Sequence, residues 1–259
     1  MLLTPGPTPV PEFVRAAMAT ETLHHRTPEF EAIFKNTREL LLEILDMPEA
    51  LMLSCSGTGA MEACIINLTA KKALTINSGK FGESAMIGLS EKAVAKLETN
   101  AKGYYFNLAT ELKNQRKNTT AWTAATTLII GLGAILEKIK ADGFDNLYAD
   151  TKKRAEATRE ALKAIGLPIY PKTPADAMTT IFSEKSNEIR KILKNKYDVN
   201  IAGGQDDLNG KIFRINHMGL VAPFEASWAV NAIEKTLEEL GLRTFDGTAN
   251  KVFMETYFR

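Results

Sequence analysis

Apolar residues recur along much of this chain at three- and four-residue intervals, with short unbroken apolar runs between those stretches. Phe30, Ile33, Phe34, Thr37, Leu40, Leu41, Ile44 and Leu45 fall on one side of a helix, and Pro48 ends it. Thr27 marks the start as an N-cap, with Pro28 at the first helical position, where a missing N–H costs nothing. The runs Ala50 to Leu53, Ala73 to Asn77 and Ala85 to Leu89 are short and mostly apolar, which predicts strands. Helices are predicted over Ala60 to Leu68, from Ser90 through Leu97, over Ala124 to Lys140 and over Asn146 to Ile165, the last closed by Gly166 and Pro168.

Past Pro168 the pattern changes. A strand over Met178 to Phe182, a helix over Asn187 to Lys194, strands near Val199 and over Ile212 to Asn216, and a helix from Glu225 to Leu240 predict a compact α/β lobe. At the other end, Thr4-Pro5-Gly6-Pro7-Thr8-Pro9-Val10-Pro11 cannot be helical, because its prolines lack donors and push each preceding residue toward extended backbone. Helix signals begin after Pro11. The longest uncharged stretch, Asn118 to Leu136, is broken by threonines and by Gly131 and Gly133. It falls short of the roughly 20 apolar residues a bilayer span needs and reads as a buried helix.

Composition narrows the partners. Of 259 residues 45% are hydrophobic and 24% charged, as in an ordinary globular protein. Interspersed charges, 32 basic and 31 acidic, leave no basic stripe for a phosphate backbone, so nucleic acid is not expected as a partner. Cys55 and Cys64 lack metal or redox spacing and read as reduced and packed; His24, His25 and His217 have no ligand spacing, so no metal site is expected. Met1-Leu2-Leu3-Thr4-Pro5 has no basic segment and reaches proline at once, which makes the cytoplasm the expected location and a membrane partner unexpected.

Three places carry candidate chemistry. Ser56-Gly57-Thr58-Gly59 stands where a strand delivers the chain to a helix start, so N–H groups, hydroxyls and the helix dipole could cradle a phosphate; small strand-to-helix turns also occur for packing alone. Phe81, between Gly79 and Gly82, could present its ring to a heteroaromatic ligand or simply fill a core. Arg214, inside the apolar run Ile212-Phe213-Arg214-Ile215, needs an anionic partner, which a substrate carboxylate or an internal acid would supply equally well.

Taken together, Thr4 to Pro11, His25-Arg26-Thr27-Pro28-Glu29-Phe30 and Ser56-Gly57-Thr58-Gly59-Ala60-Met61-Glu62-Ala63 resemble the start of the class V aminotransferases of the serine–pyruvate and alanine–glyoxylate group. The likeness resumes at Ser84-Ala85-Met86-Ile87-Gly88-Leu89-Ser90, passes through Tyr104-Tyr105-Phe106-Asn107-Leu108 and reaches Phe213-Arg214-Ile215, spanning nearly the whole chain. It implies an α/β fold of fold type I and a homodimer that uses pyridoxal 5′-phosphate to move an amino group between alanine or serine and glyoxylate or pyruvate. By the same resemblance Ser56, Gly57 and Thr58 match the loop that holds the cofactor phosphate, and Phe81 the aromatic stacked on its ring. Thr123 matches a position where the neighbouring subunit reaches the phosphate, although Thr120-Ala121-Trp122-Thr123 departs from the usual aromatic or histidine-rich stretch, and Arg214 matches the arginine that grips the substrate carboxylate. The implied organisation is an arm over residues 1–20, a shortened large domain over 21–140 and a C-terminal small domain over 141–259.

In the resembled family a long segment separates the parts matching Phe81-Gly82-Glu83 and Ala85-Met86-Ile87, and here Ser84 alone stands between them. That segment holds sheet strands, the aspartate beside the pyridine nitrogen and the lysine that binds the cofactor covalently. Lys80, Lys92 and Lys96 are poor substitutes, the first in a glycine-flanked turn and the others on a charged helix. The expectation is therefore a cofactor domain cut to about three antiparallel strands, an intact small domain, no catalytic residue and no covalent cofactor. A noncatalytic dimeric scaffold or small-anion-binding protein is the competing reading.

Overall fold

The computed structural model describes residues 1–69, 86–100 and 102–259. They form two compact bodies, one of residues 12–144 and one of residues 1–11 with 145–259.

The first body contains α1 (Glu12–Met18), α2 (Pro28–Leu45), β1 (Glu49–Met52), α3 (Gly57–Leu68), β2 (Met86–Leu89), α4 (Glu91–Asn100), α5 (Leu108–Gln115) and α6 (Thr126–Asp142). Thr27 caps α2, its Oγ1 accepting from the Phe30 N–H at 3.4 Å, and Pro28 opens the helix as its sequence predicts. Phe30, Phe34, Leu40 and Leu41 pack with Ala124, Ile129 and Leu136. The helices approach closely because α6 has two residues without side chains: a Cβ on Gly133 would lie 2.7 Å from the Thr37 Oγ1, and one on Gly131 2.7 Å from the Met18 Cγ. Thus the long uncharged stretch contains the start of α6, which is buried on one face only: Ile129, Gly131, Gly133 and Leu136 are buried while Leu128 is exposed. No helix among the described residues is long and apolar enough to cross a membrane.

β1 and β2 pair antiparallel, from Glu49 opposite Leu89 to Met52 opposite Met86. Leu51, Ile87 and Leu89 bury with Ala60, Ala63, Leu97, Leu108 and Leu112 in a second cluster of the same body. The strand expected over Ala73 to Asn77 lies outside the described residues. Beside β1, Gln115 behaves as a short piece of strand. Its Oε1 accepts from the Met52 N–H at 3.0 Å and its Nε2 donates to the Met52 carbonyl at 2.8 Å.

The second body holds α7 (Phe144–Ala164), which begins at the boundary, then β3 (Met178–Phe182), α8 (Ser186–Tyr197), β4 (Ala202–Gly203), β5 (Ile212–Asn216), α9 (Pro223–Glu239) and α10 (Thr248–Tyr257). Its sheet has the order β3-β5-β4, both pairings antiparallel. The strand expected near Val199 is two residues long and lies at Ala202–Gly203, while Val199 itself is buried. Ile181, Phe213 and Ile215 pack with Ala157 and Ala161 of α7 and Ala226, Ala229 and Ala232 of α9; alanine at these positions lets the helices lie close to the sheet. The segment around Leu3 joins this body, its N–H donating to the Asn200 carbonyl at 2.8 Å and its carbonyl accepting from the Asn216 N–H at 2.9 Å.

Candidate functional site

Ser56 sits at the N-cap of α3 with extended backbone, and its Oγ accepts from the Gly59 N–H at 3.2 Å. Ser56 and Thr58 are exposed, while Gly57 is buried. Gly59 is required for packing: a Cβ there would lie 3.0 Å from the Cys55 Cβ and 3.1 Å from the Phe106 Cζ, so the turn curls tightly over both. A helix start of this kind directs first-turn N–H groups and a positive dipole end outward, beside the hydroxyls of Ser56 and Thr58. That arrangement fits a phosphate.

Immediately before this turn, Ser54 organises the neighbouring loops. Its carbonyl accepts from the Tyr105 hydroxyl at 2.9 Å and its Oγ from the Ala125 N–H at 3.0 Å. Thr123 is exposed and, with Ser54, Tyr105, Phe106, Glu111 and Trp122, lines a cavity of about 10 Å³. Such a space holds about one water and has no room for a pyridine ring. Phe81, the residue expected to stack on that ring, and Lys80 lie outside the described residues. The described residues of this body therefore fit the phosphate end of pyridoxal 5′-phosphate, and that cavity does not fit its ring.

Glu111 closes the floor of the same cavity. Burial pushes its carboxyl above the ordinary carboxylate value, and the hydrogen bonds it accepts from Gln115 and Ala121 partly counter the push. Sequence reading passed over Glu111 and Gln115, although their four-residue separation on a helix was the available signal. The Gln115 Nε2 donates to the Glu111 Oε2 at 3.1 Å.

Lys92 is exposed and lines an open groove with Asp46, Met47 and Pro48, which precede β1, whereas Ser54 and Ser56 follow it. At about 3.3 Å per residue, the strand between them exceeds the reach of a lysine side chain. Lys96 is half-buried one turn further along α4. Among the described residues, no group of three or more His, Cys, Asp or Glu side chains could hold a metal ion.

Arg214 belongs to the second body. It is half-buried on β5, opposite Thr180 on one side and Ala202 on the other, and its Nε donates to the Gly203 carbonyl at 2.9 Å. Burial lowers its pKa and the neighbouring charge of Arg190 lowers it further. His217, at the end of the same strand, is fully buried with its Nε2 2.8 Å from the Thr179 Oγ1. Burial, with Arg159 and Arg154 nearby, depresses it to about 3, so it is neutral and structural.

Two antiparallel sheets flanked by helices, with a capped helix start after a strand in one body and an arginine on a strand of the other, define an α/β protein, and its structural neighbours are of fold type I. Solved structures agree. Pyridoxamine–pyruvate aminotransferase from Mesorhizobium loti superposes with a TM-score of 0.88 at 15% identity, over 99% of this chain and 96% of that one. An aspartate aminotransferase from Thermus thermophilus gives 0.82 at 23% identity, over 92% and 99%. No protein-family description matches the chain. An uncharacterised aminotransferase of Helicobacter pylori (strain ATCC 700392 / 26695) is 33% identical, over 100% of this chain and 99% of its own length. The chain belongs to the aminotransferase family, and it has the fold of these solved structures. A serine–glyoxylate aminotransferase of Hyphomicrobium methylovorum matches at 29% identity over 66% of this chain and 40% of its own. The Helicobacter alignment runs over 366 positions against 259 residues here, so the chain meets its relative end to end with internal sequence missing.

Proposed function

We propose that this chain is an aminotransferase-family protein that keeps noncovalent binding positions for a cofactor phosphate and a substrate carboxylate but does not itself transfer amino groups. The observation that carries the reading is the turn at Ser56, a capped helix start with two exposed hydroxyl side chains, at the place the resemblance assigns to the phosphate of pyridoxal 5′-phosphate. That cofactor, when bound, supplies an electron sink for the substrate's α-carbon. The chain's own residues do the holding. Ser56, Gly57 and Thr58 anchor the phosphate, Arg214 anchors the carboxylate, and Thr123 and Phe81 are the further contacts the resemblance implies.

Missing turnover follows from missing proton transfer. Moving a proton between substrate and cofactor requires a base within hydrogen-bond reach of the reacting carbon, a role the resembled family gives to a lysine. Lys92 stands on the far side of β1 from Ser56, and Lys96 is a turn beyond it on α4. With that lysine restored, the reaction would be amino transfer between alanine or serine and glyoxylate or pyruvate. Without it, the chain is a cytoplasmic homodimeric scaffold that binds small anions.

The test is equilibrium binding of pyridoxal 5′-phosphate, and of inorganic phosphate as competitor, to the full chain and to the double variant Ser56→Ala, Thr58→Ala. Loss of two hydroxyl contacts is expected to weaken cofactor binding about tenfold or more, about 1.4 kcal/mol. A circular dichroism spectrum and unfolding curve show whether the variant is folded. Equal binding by a folded variant contradicts the assignment of the turn.

A further inference from the structure

Arg190 and Arg214 converge on one backbone position. The Arg214 Nε donates to the Gly203 carbonyl at 2.9 Å, and a Cβ built on Gly203 would lie 2.4 Å from the Arg190 Nη1 and 2.8 Å from its Cζ. The Arg190 guanidinium therefore rests directly against Gly203, in space only glycine leaves open. The next residue is equally constrained, since a Cβ on Gly204 would lie 2.0 Å from the Leu208 carbonyl oxygen. Together the Gly203-Gly204 pair and the two-residue β4 hold two half-buried guanidinium groups beside one strip of backbone.

The hydrogen-bond partners of Arg190 are neutral and distant. Its Nε donates to the Ile201 carbonyl at 3.4 Å and its Nη1 to the Asn187 Oδ1 at 3.5 Å. Like charges brought together in partial burial repel; burial first and the charge of Arg190 second lower the Arg214 pKa. Planar guanidinium forks match carboxylates bidentately, so a ligand with two carboxylates would meet both groups.

We propose that Arg190 is a second carboxylate-recognising side chain beside Arg214, so that this site takes an amino or 2-oxo dicarboxylic acid in preference to a monocarboxylic one. The inference rests on Arg214 as the substrate anchor. It alters the expected substrate class: where the resemblance implies alanine or serine, the second guanidinium favours an acidic amino acid. Arg190 is here a specificity-determining residue, and no step of chemistry is assigned to it.

The test is calorimetric binding of succinate and of butyrate to the full chain and to Arg190→Gln, Arg190→Lys and Arg214→Lys. Succinate is expected to bind about tenfold more tightly than butyrate. Arg190→Gln is expected to weaken succinate about tenfold relative to butyrate and so erase that preference, with Arg190→Lys intermediate because it keeps charge and loses the fork. Arg214→Lys weakens both ligands. Two outcomes overturn the inference alone: equal binding of succinate and butyrate that Arg214→Lys still weakens, or a preference for succinate that survives in both Arg190 variants. If neither ligand binds the native chain, the assignment of Arg214 as carboxylate anchor falls with it.

Discussion

Glu111 and His217 show how burial acts on ionisable groups in opposite directions. Burial raises the pKa of Glu111 from 4.5, so the folded protein holds that proton more tightly than the unfolded chain does. Its contribution to stability is therefore complete below pH 4.5 and is lost as pH rises through the raised folded value. His217 is depressed from 6.5 to about 3, so its contribution is complete above pH 6.5 and is lost as pH falls toward 3. Urea unfolding of native protein, Glu111→Gln and His217→Gln between pH 4 and 8 reads both effects. Relative to native protein, the Glu111 variant is expected to gain stability as pH rises, and the His217 variant as pH falls. Parallel curves would contradict the assignment of these groups as buried and shifted. Gln115 adds the same lesson without a charge. One side-chain amide satisfies both polar groups of Met52 at 3.0 and 2.8 Å, where unpaired they would each be costly.

At the scale of elements, the close crossings of α6 depend on Gly131 and Gly133. Gly133→Ala would push a methyl group to 2.7 Å from the Thr37 Oγ1, a hydroxyl already tied to the Ile33 carbonyl at 2.9 Å. Overpacking of this kind costs about 1–3 kcal/mol, and the expected loss appears as a lower urea midpoint. Thr37→Ala makes room, so the double variant Gly133→Ala, Thr37→Ala should be more stable than the Gly133→Ala variant alone. Purely additive losses would show that the two helices do not meet there.

These helices were the legible part of the sequence. An apolar face repeating from Phe30 to Leu41, a capping threonine and a following proline all agree, and α2 runs as they predict. The strands Met178–Phe182 and Ile212–Asn216 were legible for the same reason, each being a compact apolar run. Shorter elements were not. α5 owes its position to Asn107, whose side chain accepts from the Thr110 N–H at 2.9 Å, and to tertiary contacts of Gln115, neither of which leaves a long periodic trace. α10 begins after Gly247 with positive φ and has only Ala249, Phe253 and Tyr257 buried, too short a face to stand out.

For the whole molecule, the family was legible because several motifs keep their order, and the alignment with the Helicobacter relative bears that out over 100% of the chain. The candidate binding positions, each within its own body, were legible only in part. Ser56 and Arg214 could be named from sequence because they fall within motifs whose order resembles the family's, small strand-to-helix turns being common on their own. Arg190 was not, because its contact is with the space above Gly203, which leaves no spacing in the sequence. Likewise Glu111 and the serine at position 54 act through backbone groups distant in sequence.

We propose that this aminotransferase-family chain retains anion-binding positions and that, among its described residues, no lysine is placed to hold the cofactor covalently. The most direct test is borohydride reduction of the protein saturated with pyridoxal 5′-phosphate, followed by intact mass and peptide mapping. The expected result is an unmodified mass, with the cofactor removed by dialysis. A single reduced adduct mapping to one lysine, formed in stoichiometric yield, would contradict the claim and identify the base that restores amino transfer.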